Sequence, residues 1–312
     1  MTSTVARALR RWPAQVVIVG LWCLHWLPFG LQDALARGVG RLLYRLAGAR
    51  RRVALRNLQL CLPDLPEAER EAIARAHFRW LARSLLERGL LWFASAGRLQ
   101  RHLVIEGDIG FAERHPQQPV MWLVPHFVGL EAAGTASQLG QRRPVVSMYQ
   151  TQSNEVFDEA IRRGRLRFNG GILFSRRETA RPLMRAIRDG HLFLNLPDMD
   201  FGERDAAFVP FFGVPAATLL APSRMARALG MAVQPVVVRM RGAEHPQGAG
   251  WTVRFGEPWA DFPTDDPVAD AARMNRWIED EVRANPAQYL WVHKRFKTRP
   301  PGQPSLYEVP GG

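Results

Sequence analysis

Short apolar runs alternate with amphipathic stretches through the middle of the chain, and this alternation restricts the fold more than any other feature. The apolar runs are about four to eight residues long, which is the usual length of a buried strand. The stretches between them carry apolar residues at every third or fourth position, as an amphipathic helix does. Such strand–helix alternation predicts an α/β fold with a central, mostly parallel sheet covered by helices. The predicted strands are Val120–Val124, Pro144–Met148, Gly171–Phe174, Leu192–Leu196, Val233–Arg239 and Trp251–Phe255, and the predicted helices are Glu67–Phe93, Glu155–Leu166, Thr179–Arg188 and Ala217–Leu229.

The amino-terminal segment has the composition of a membrane anchor. An apolar run, Val16–Leu31, follows Arg7, Arg10 and Arg11. The run is short for a spanning helix, which needs roughly 20 apolar residues. A cleaved signal peptide or a buried core helix would have a similar length. We favour a retained anchor, which divides the chain into a membrane segment at 1–48 and the main domain at 49–312.

A basic stripe follows this run. Arg37, Arg41 and Arg45 recur every four residues and therefore share one face of a helix. Leu35, Leu42, Leu43 and Leu46 supply apolar surface on the same segment. A basic amphipathic helix beside an apolar anchor is typical of binding to an anionic membrane. Basic residues that flank a membrane segment stay on the cytoplasmic side, so we expect the body of the protein there.

The charge balance indicates a polyanionic partner. Lys and Arg number 42 against 29 Asp and Glu, a net charge of +13, and nearly all the basic residues are Arg. Anionic lipid, a phosphorylated substrate or nucleic acid would each fit. The tryptophans are concentrated in apolar runs such as LWCLHW rather than interleaved with Arg, which argues against nucleic acid. With only Cys23 and Cys61, the chain has no pattern for a disulfide framework or a zinc site, and we expect no metal and no cofactor.

One strand end has the pattern of a catalytic base. The strand MWLVP leads directly into HFVGLE, so His126 lies at a strand end and Glu131 in the first turns of the next helix. Across that corner the Glu131 carboxylate is expected to accept a hydrogen bond from Nδ1 of the imidazole, which leaves Nε2 free to take a proton from a substrate hydroxyl. No Ser or Cys adjoins His126 in sequence, which favours direct attack by the substrate over an acyl-enzyme. An isolated H-x4-E pattern is also common in a buried structural histidine.

HFVGLE resembles the HX4D/E motif of the glycerolipid acyltransferase superfamily, and the chain resembles the late acyltransferases of lipid A biosynthesis within it. The resemblance extends from about Arg50 to Ser305. It rests on four segments in this order: RRVALRNLQLCLPDL, RGRLRFNGGILFSRRE, LPDMDFGERDAAFVPFFGVPAAT and QYLWVHKRFKTRPPGQPS.

The resemblance implies a membrane-associated enzyme at the cytoplasmic face of a bacterial inner membrane. It implies transfer of a fatty acyl chain from acyl carrier protein to a hydroxyl of a 3-hydroxyacyl chain on a Kdo-bearing lipid A precursor. His126 then corresponds to the catalytic base and Glu131 to its partner. Arg167, Asp198 and Arg204 are interpreted as substrate-binding residues, Asp198 with the alternative of a cap on a helix or turn.

The sequence leaves open the roles of two other basic residues and two alternative functions. Arg295 and Lys297 would meet phosphate or carrier protein, or form part of a solvated basic tail, and the residues after Arg299 are expected to form a surface extension. An alternative acceptor is another amphiphile, such as a phosphatidylinositol mannoside or an amino-acid lipid. A basic protein that binds membrane or nucleic acid without chemistry is the alternative outside enzymes.

Overall fold

A computed structural model describes residues 2–308, with side chains from Trp12 onward. Arg7, Arg10 and Arg11 lie outside the described side chains. The strands are β1 (Leu103–Gly107), β2 (Val120–Leu123), β3 (Val145–Tyr149), β4 (Ile172–Ser175), β5 (Leu192–Asn195), β6 (Ala206–Phe211), β7 (Val214–Leu219), β8 (Ala232–Arg241) and β9 (Gly250–Phe255). The helices are α1 (Thr2–Leu24), α2 (Phe29–Leu46), α3 (Gly48–Cys61), α4 (Glu67–Leu86), α5 (Arg88–Phe93), α6 (Ala96–Gln100), α7 (Phe111–Arg114), α8 (Leu130–Gly140), α9 (Glu155–Arg165), α10 (Ala180–Arg188), α11 (Ala221–Leu229) and α12 (Pro267–Ala284), with a 3-10 turn at Pro286–Gln288.

Seven strands form one sheet in the order β1-β9-β8-β2-β5-β3-β4. Every neighbouring pair is parallel except β8 and β9, which are antiparallel. The central strand β2 is buried along its whole length, because helices cover both faces of a mainly parallel sheet. The predicted α/β class, the mostly parallel sheet and its six predicted strands are therefore confirmed within one or two residues at each end.

The structure departs from the predicted elements where tertiary pairing overrides local pattern. Ala217–Leu229 was expected to be one helix, but Ala217 and Thr218 belong to β7, which pairs with β6 in a separate antiparallel hairpin. The hairpin packs on α12. Glu67–Phe93 is divided between α4 and α5. The residues after Arg299 do not simply extend from the surface. The Tyr307 hydroxyl donates to Oδ1 of Asn57, in α3, at a distance of 2.5 Å.

The amino-terminal apolar run is divided between two helices. Val16–Leu31 falls across the end of α1 and the start of α2, with Pro28 immediately before α2. Proline has no N–H to continue a helix through that point. Within residues 2–308, no helix is long and apolar enough to cross a bilayer, and the membrane-anchoring helix expected from this run is not supported. The boundary predicted at residue 48 stays a prediction, and α2 on one side of it packs against α4 on the other.

Candidate active site

The pairing of β2 with β5 determines which side chains meet at the site. The two strands are parallel, with Leu123 opposite Asn195. His126 lies three residues beyond Leu123, and Asp198 lies three residues beyond Asn195. Equal offsets from the carboxyl ends of adjacent parallel strands bring the two side chains together, at the edge where α/β sheets usually bind ligands.

Asp198 holds the His126 ring. Its Oδ1 accepts from His126 Nδ1 at 2.6 Å, and its Oδ2 accepts from the His126 backbone N–H at 2.9 Å. Two contacts from one carboxylate fix both the ring and the backbone of the histidine. Within the described part of the chain, no group hydrogen-bonds to Nε2, and the ring lines an open groove. The arrangement leaves Nε2 available as a general base, oriented by the carboxylate behind it.

Charge and burial support a carboxylate at Asp198. Its side chain is buried, which by itself would raise the pKa, but the His126 charge and the hydrogen bonds from His126 outweigh burial and lower the pKa of Asp198. Burial raises the pKa of the nearby Tyr289 phenol well above its ordinary value, and the Asp198 charge adds to that rise. Tyr289 therefore stays neutral beside an ionised Asp198.

A late segment of the chain supports the His126 loop from behind. The Leu290 N–H donates to the His126 carbonyl at 2.9 Å, and the Val128 N–H donates to the Gln288 carbonyl at 2.8 Å. Phe127 and Tyr289 form an antiparallel bridge between these two bonds. The base is therefore held by backbone contacts on one side and by Asp198 on the other.

The predicted partnership of His126 with Glu131 is not what the structure contains. Nδ1 of His126 is bonded to Asp198, while Glu131 pairs with Arg165, whose Nε lies 3.1 and 3.0 Å from the two carboxylate oxygens. Arg88 lies 4.0 Å from the same carboxylate. Burial would raise the pKa of Glu131, but the charges of Arg165 and Arg88 outweigh it and lower that pKa to about 2. The reason is directional, since Glu131 faces α9 and Asp198 already satisfies the imidazole.

The groove in front of His126 has a volume of about 390 Å³. Arg88, Arg165 and Arg176 line it, together with Glu131. Apolar residues from several elements line the rest of it, among them Leu81, Leu85, Phe127, Phe193, Met199 and Met225. A site of this size and composition is suited to an amphiphile with an apolar chain and an anionic head.

A smaller apolar pocket of about 80 Å³ opens beside the groove. Leu130, Leu194 and Leu196 line both spaces, as do Glu131 and Arg165, so the two spaces lie side by side. Trp92, Gly134 and Gly164 line only the small pocket.

Other predicted site residues lie elsewhere. Arg167 does not line the groove: its terminal nitrogens donate to the carbonyls of Leu91 and Ala94 at 2.8 and 2.6 Å, which holds the end of α5. The terminal nitrogens of Arg167, which was interpreted as substrate-binding, are thus bonded to backbone within the protein. Arg295, which was considered for phosphate, is buried and donates to the Ala217 carbonyl at 2.8 Å.

The remaining basic candidates are exposed. Arg204 makes no hydrogen bond or ion pair within the described chain, and its side chain is free to meet a substrate that reaches the loop after β5. Lys297 is also exposed.

Sequence reasoning missed the arginines that do line the groove. Arg165 lies between two other arginines and Arg167 in the segment RRGRLR, and nothing local separates it from them. Its contact with Glu131 arises from the packing of α9 against α8, which local sequence does not show. Arg88 and Arg176 come from α5 and from the loop after β4.

Three side chains could be considered as a protein nucleophile, namely Ser223, Cys61 and Ser147. Ser223 is buried and donates to Asp270 at 2.6 Å, and burial raises the pKa of the Cys61 thiol. Neither side chain lines the groove. Ser147 does line it, but its hydroxyl donates to the Leu194 carbonyl at 2.9 Å. Within the described residues, no group of three or more His, Cys, Asp or Glu side chains is arranged to hold a metal ion.

Known proteins are similar in sequence to this chain over nearly its whole length. The profile of the family described as bacterial lipid A biosynthesis acyltransferase matches residues 2–298. The chain is 33% identical over 307 residues to the lipid A biosynthesis lauroyltransferase of Escherichia coli (strain K12), covering 98% of each chain. It is 32% identical over 302 residues to the lipid A biosynthesis myristoyltransferase of the same organism, covering 96% of this chain and 91% of that one. The chain therefore belongs to the bacterial lipid A biosynthesis acyltransferases, a family of acyl-transferring enzymes.

Proposed function

We propose that this acyltransferase takes a fatty acyl chain from acyl carrier protein and transfers it to a hydroxyl of a 3-hydroxyacyl chain on a Kdo-bearing lipid A precursor. The reaction would take place at the cytoplasmic face of the bacterial inner membrane. The observation that carries this proposal is the His126–Asp198 pair, whose imidazole lines a groove that combines apolar side chains with Arg88, Arg165 and Arg176.

The proposed chemistry is a direct transfer. The acceptor hydroxyl donates a hydrogen bond to His126 Nε2, and its oxygen attacks the thioester carbonyl as the proton moves to the ring. The tetrahedral intermediate collapses, the C–S bond breaks, and the carrier thiolate takes the proton back from His126. Asp198 keeps the proton on Nδ1 and stabilises the imidazolium that forms between the two transfers.

Glu131 acts through Arg165 in this proposal. The carboxylate holds the Arg165 guanidinium at the junction between the groove and the small apolar pocket. A positive charge fixed there stabilises the oxyanion of the tetrahedral intermediate or a phosphate of the acceptor. Arg88 and Arg176 extend the positive side of the groove. Glu131 is thus a positioning residue rather than the partner of the imidazole.

The acyl chain is proposed to run along the apolar part of the groove into the small pocket beside Gly134. Each methylene buried there contributes about 0.8 kcal/mol, so the depth of this pocket would select chain length. The Glu131–Arg165 pair lines both spaces, so a chain that enters the small pocket would keep its thioester end on the groove side, toward His126.

Product analysis by mass spectrometry tests the function. The purified enzyme is incubated with acyl carrier protein thioesters of several chain lengths and the Kdo-bearing precursor, with His126→Ala as the inactive control. We expect one added acyl chain on the precursor and none with the variant. Coenzyme A thioesters test the carrier, and a panel of other amphiphiles, including an amino-acid lipid, tests the acceptor.

A second arm tests direct attack. The enzyme is incubated with labelled acyl carrier protein thioester in the absence of acceptor, and intact protein mass is measured. We expect no acyl-protein adduct. A stoichiometric adduct that the acceptor later discharges would contradict direct attack, and acylation of another amphiphile in preference to the precursor would contradict the proposed acceptor.

A further inference from the structure

A separate pocket lies between α2 and α4, and it shares no lining residue with the groove or with the small apolar pocket. Its volume is about 430 Å³, within the roughly 300–1,000 Å³ range of ligand sites. Five arginines line it around one tyrosine: Arg37, Arg41, Arg45, Arg75 and Arg79 around Tyr44. Such a concentration of guanidinium groups indicates an anionic ligand.

Two of these arginines pair with a carboxylate of the described residues. Arg37 pairs with Asp33, and Arg75 pairs with Glu71 at 2.6 Å. Among residues 12–308, whose side chains are described, no carboxylate pairs with the other three, which are Arg41, Arg45 and Arg79.

Arg79 shows the clearest need for a ligand. Its Nε is buried and has no hydrogen-bond partner among the described residues. A buried donor on a charged group is costly when it is unpaired. An anion in the pocket would supply both the missing acceptor and the missing negative charge.

The pocket is built on a rigid base. Tyr44 is buried, its hydroxyl donates to Glu71 at 3.2 Å, and the Arg75 guanidinium lies 5.0 Å from its ring centroid. The two helices touch at Gly40, where a Cβ would lie 2.6 Å from the Arg79 Cα. Glycine therefore permits the close approach of α2 to α4 that brings the arginines of the two helices together.

An exposed apolar stripe lies beside the pocket on the same helix. Leu31, Leu35, Leu42 and Leu46 are 41–73% exposed and are spaced so that they share one face of α2. At about 100° per residue, the row formed by Arg37, Arg41 and Arg45 lies roughly a third of a turn away from this stripe. Trp12, Val16, Val19 and Trp26 of the neighbouring segment are exposed as well.

We propose that this pocket binds the phosphate of an anionic phospholipid headgroup, with α2 lying in the membrane plane and its leucine stripe among the acyl chains. A phospholipid offers the two chemistries in the order in which α2 presents them, phosphate beside hydrocarbon. An acidic protein would satisfy the arginines but would leave the four leucines without an apolar partner. The site is separate from the acyl-transfer chemistry, so its test does not pass through catalysis.

Vesicle flotation of the full-length protein measures the interaction. Neutral phosphatidylcholine vesicles are compared with vesicles that also contain phosphatidylglycerol. The test variant is Arg41→Gln/Arg45→Gln. The matched control is Arg181→Gln/Arg185→Gln on α10, which removes the same charge at the same i,i+4 spacing from exposed positions. Circular dichroism and thermal melting confirm that both variants are folded.

We expect the Arg41/Arg45 variant to bind phosphatidylglycerol vesicles about thirty-fold more weakly than the control variant. Leu35→Ser/Leu42→Ser is expected to weaken binding to both kinds of vesicle. Glycerol phosphate in solution is expected not to displace the protein, because it offers no hydrocarbon to the stripe.

Three results would overturn the proposal. Equal weakening by the two arginine pairs would show attraction by net charge alone. Full displacement by glycerol phosphate would show a site for a soluble phosphate. Unchanged vesicle binding by the Arg41/Arg45 variant, together with lost binding to purified acyl carrier protein, would assign the pocket to an acidic protein.

Discussion

Asp198→Asn is the sharpest test of the site geometry. The carboxylate accepts from the His126 ring and from its backbone N–H, at 2.6 and 2.9 Å. An asparagine of the same shape keeps one acceptor oxygen but loses the charge that stabilises the imidazolium. If its amide nitrogen faces Nδ1, the ring proton moves to Nε2 and the base is lost altogether.

The expected loss follows from these two bonds. Removing one charge-assisted hydrogen bond costs about 1.5–3 kcal/mol, which is about 10- to 150-fold in kcat. Loss of the correct tautomer extends the effect toward the whole contribution of a general base, about 10²- to 10⁴-fold. The effect should fall on kcat with little change in KM, since Asp198 is buried behind the ring and not in the groove.

Asp200→Asn is the matched control. Asp200 is buried in the same loop, but it accepts from the Thr298 N–H at 2.7 Å and makes no contact with His126. Steady-state kinetics are measured for both variants below the onset of unfolding. Equal kcat values for the two asparagine variants would refute the assignment of Asp198 to the imidazole. Glu131→Gln is the complementary test: it should lower activity through release of Arg165.

Three further predictions concern chain length, stability and pH. Gly134→Leu adds a side chain to the lining of the small pocket, at a position where a Cβ meets no atom within 4 Å. If that side chain excludes the last two methylenes of a longer acyl chain, the preference for a C12 over a C14 thioester should rise about fifteen-fold in a competition assay. An unchanged ratio would exclude that pocket as the acyl site. Arg167→Met removes two hydrogen bonds to backbone carbonyls, so the free energy of unfolding should fall by about 1.5–3 kcal/mol while kcat/KM per folded enzyme stays constant; a raised KM without destabilisation would instead restore a substrate contact. Burial lowers the pKa values of His77 and His293 to about 4 from 6.5. Between these pH values the unfolded chain takes up protons that the native one does not. The stabilisation is therefore fully present above pH 6.5, and the free energy of unfolding falls by up to about 1.4 kcal/mol per pH unit for each histidine as pH falls toward 4. His77→Gln should reduce that slope in denaturant titrations, and a reduction no greater than that of the exposed His245→Gln would contradict it.

The sequence predicted the sheet because buried parallel strands are visible as short apolar runs. β2 and β5 are buried along most of their length, and hydrophobicity alone delimits them. The hairpin of β6 and β7 carries Pro210 opposite Pro215, which weakens its strand pattern. Helix α12 was missed although Asp266 caps it and Pro267 begins it, the two signals that usually announce a helix.

The candidate site was predictable in part. His126 was identified from its place at a strand end, and Asp198 was identified as a substrate-binding residue, but their contact depends on the pairing of β2 with β5 across the chain. Local reasoning instead gave His126 the nearest carboxylate, Glu131. Only the packing of α8 against α9 reveals that Arg165 neutralises Glu131. The sequence pattern predicts where each strand ends, but it does not predict the order of the strands in the sheet.

The support behind His126 has a consequence for the order in which the enzyme matures during synthesis. His126, Asp198 and the sheet between them are made well before Gln288 and Leu290, whose backbones clasp the His126 loop. Tyr307 then ties the same region to Asn57, across 250 residues of sequence. Because a chain emerges from its amino end, the His126 loop gains this backbone support only after every strand of the sheet has been synthesised.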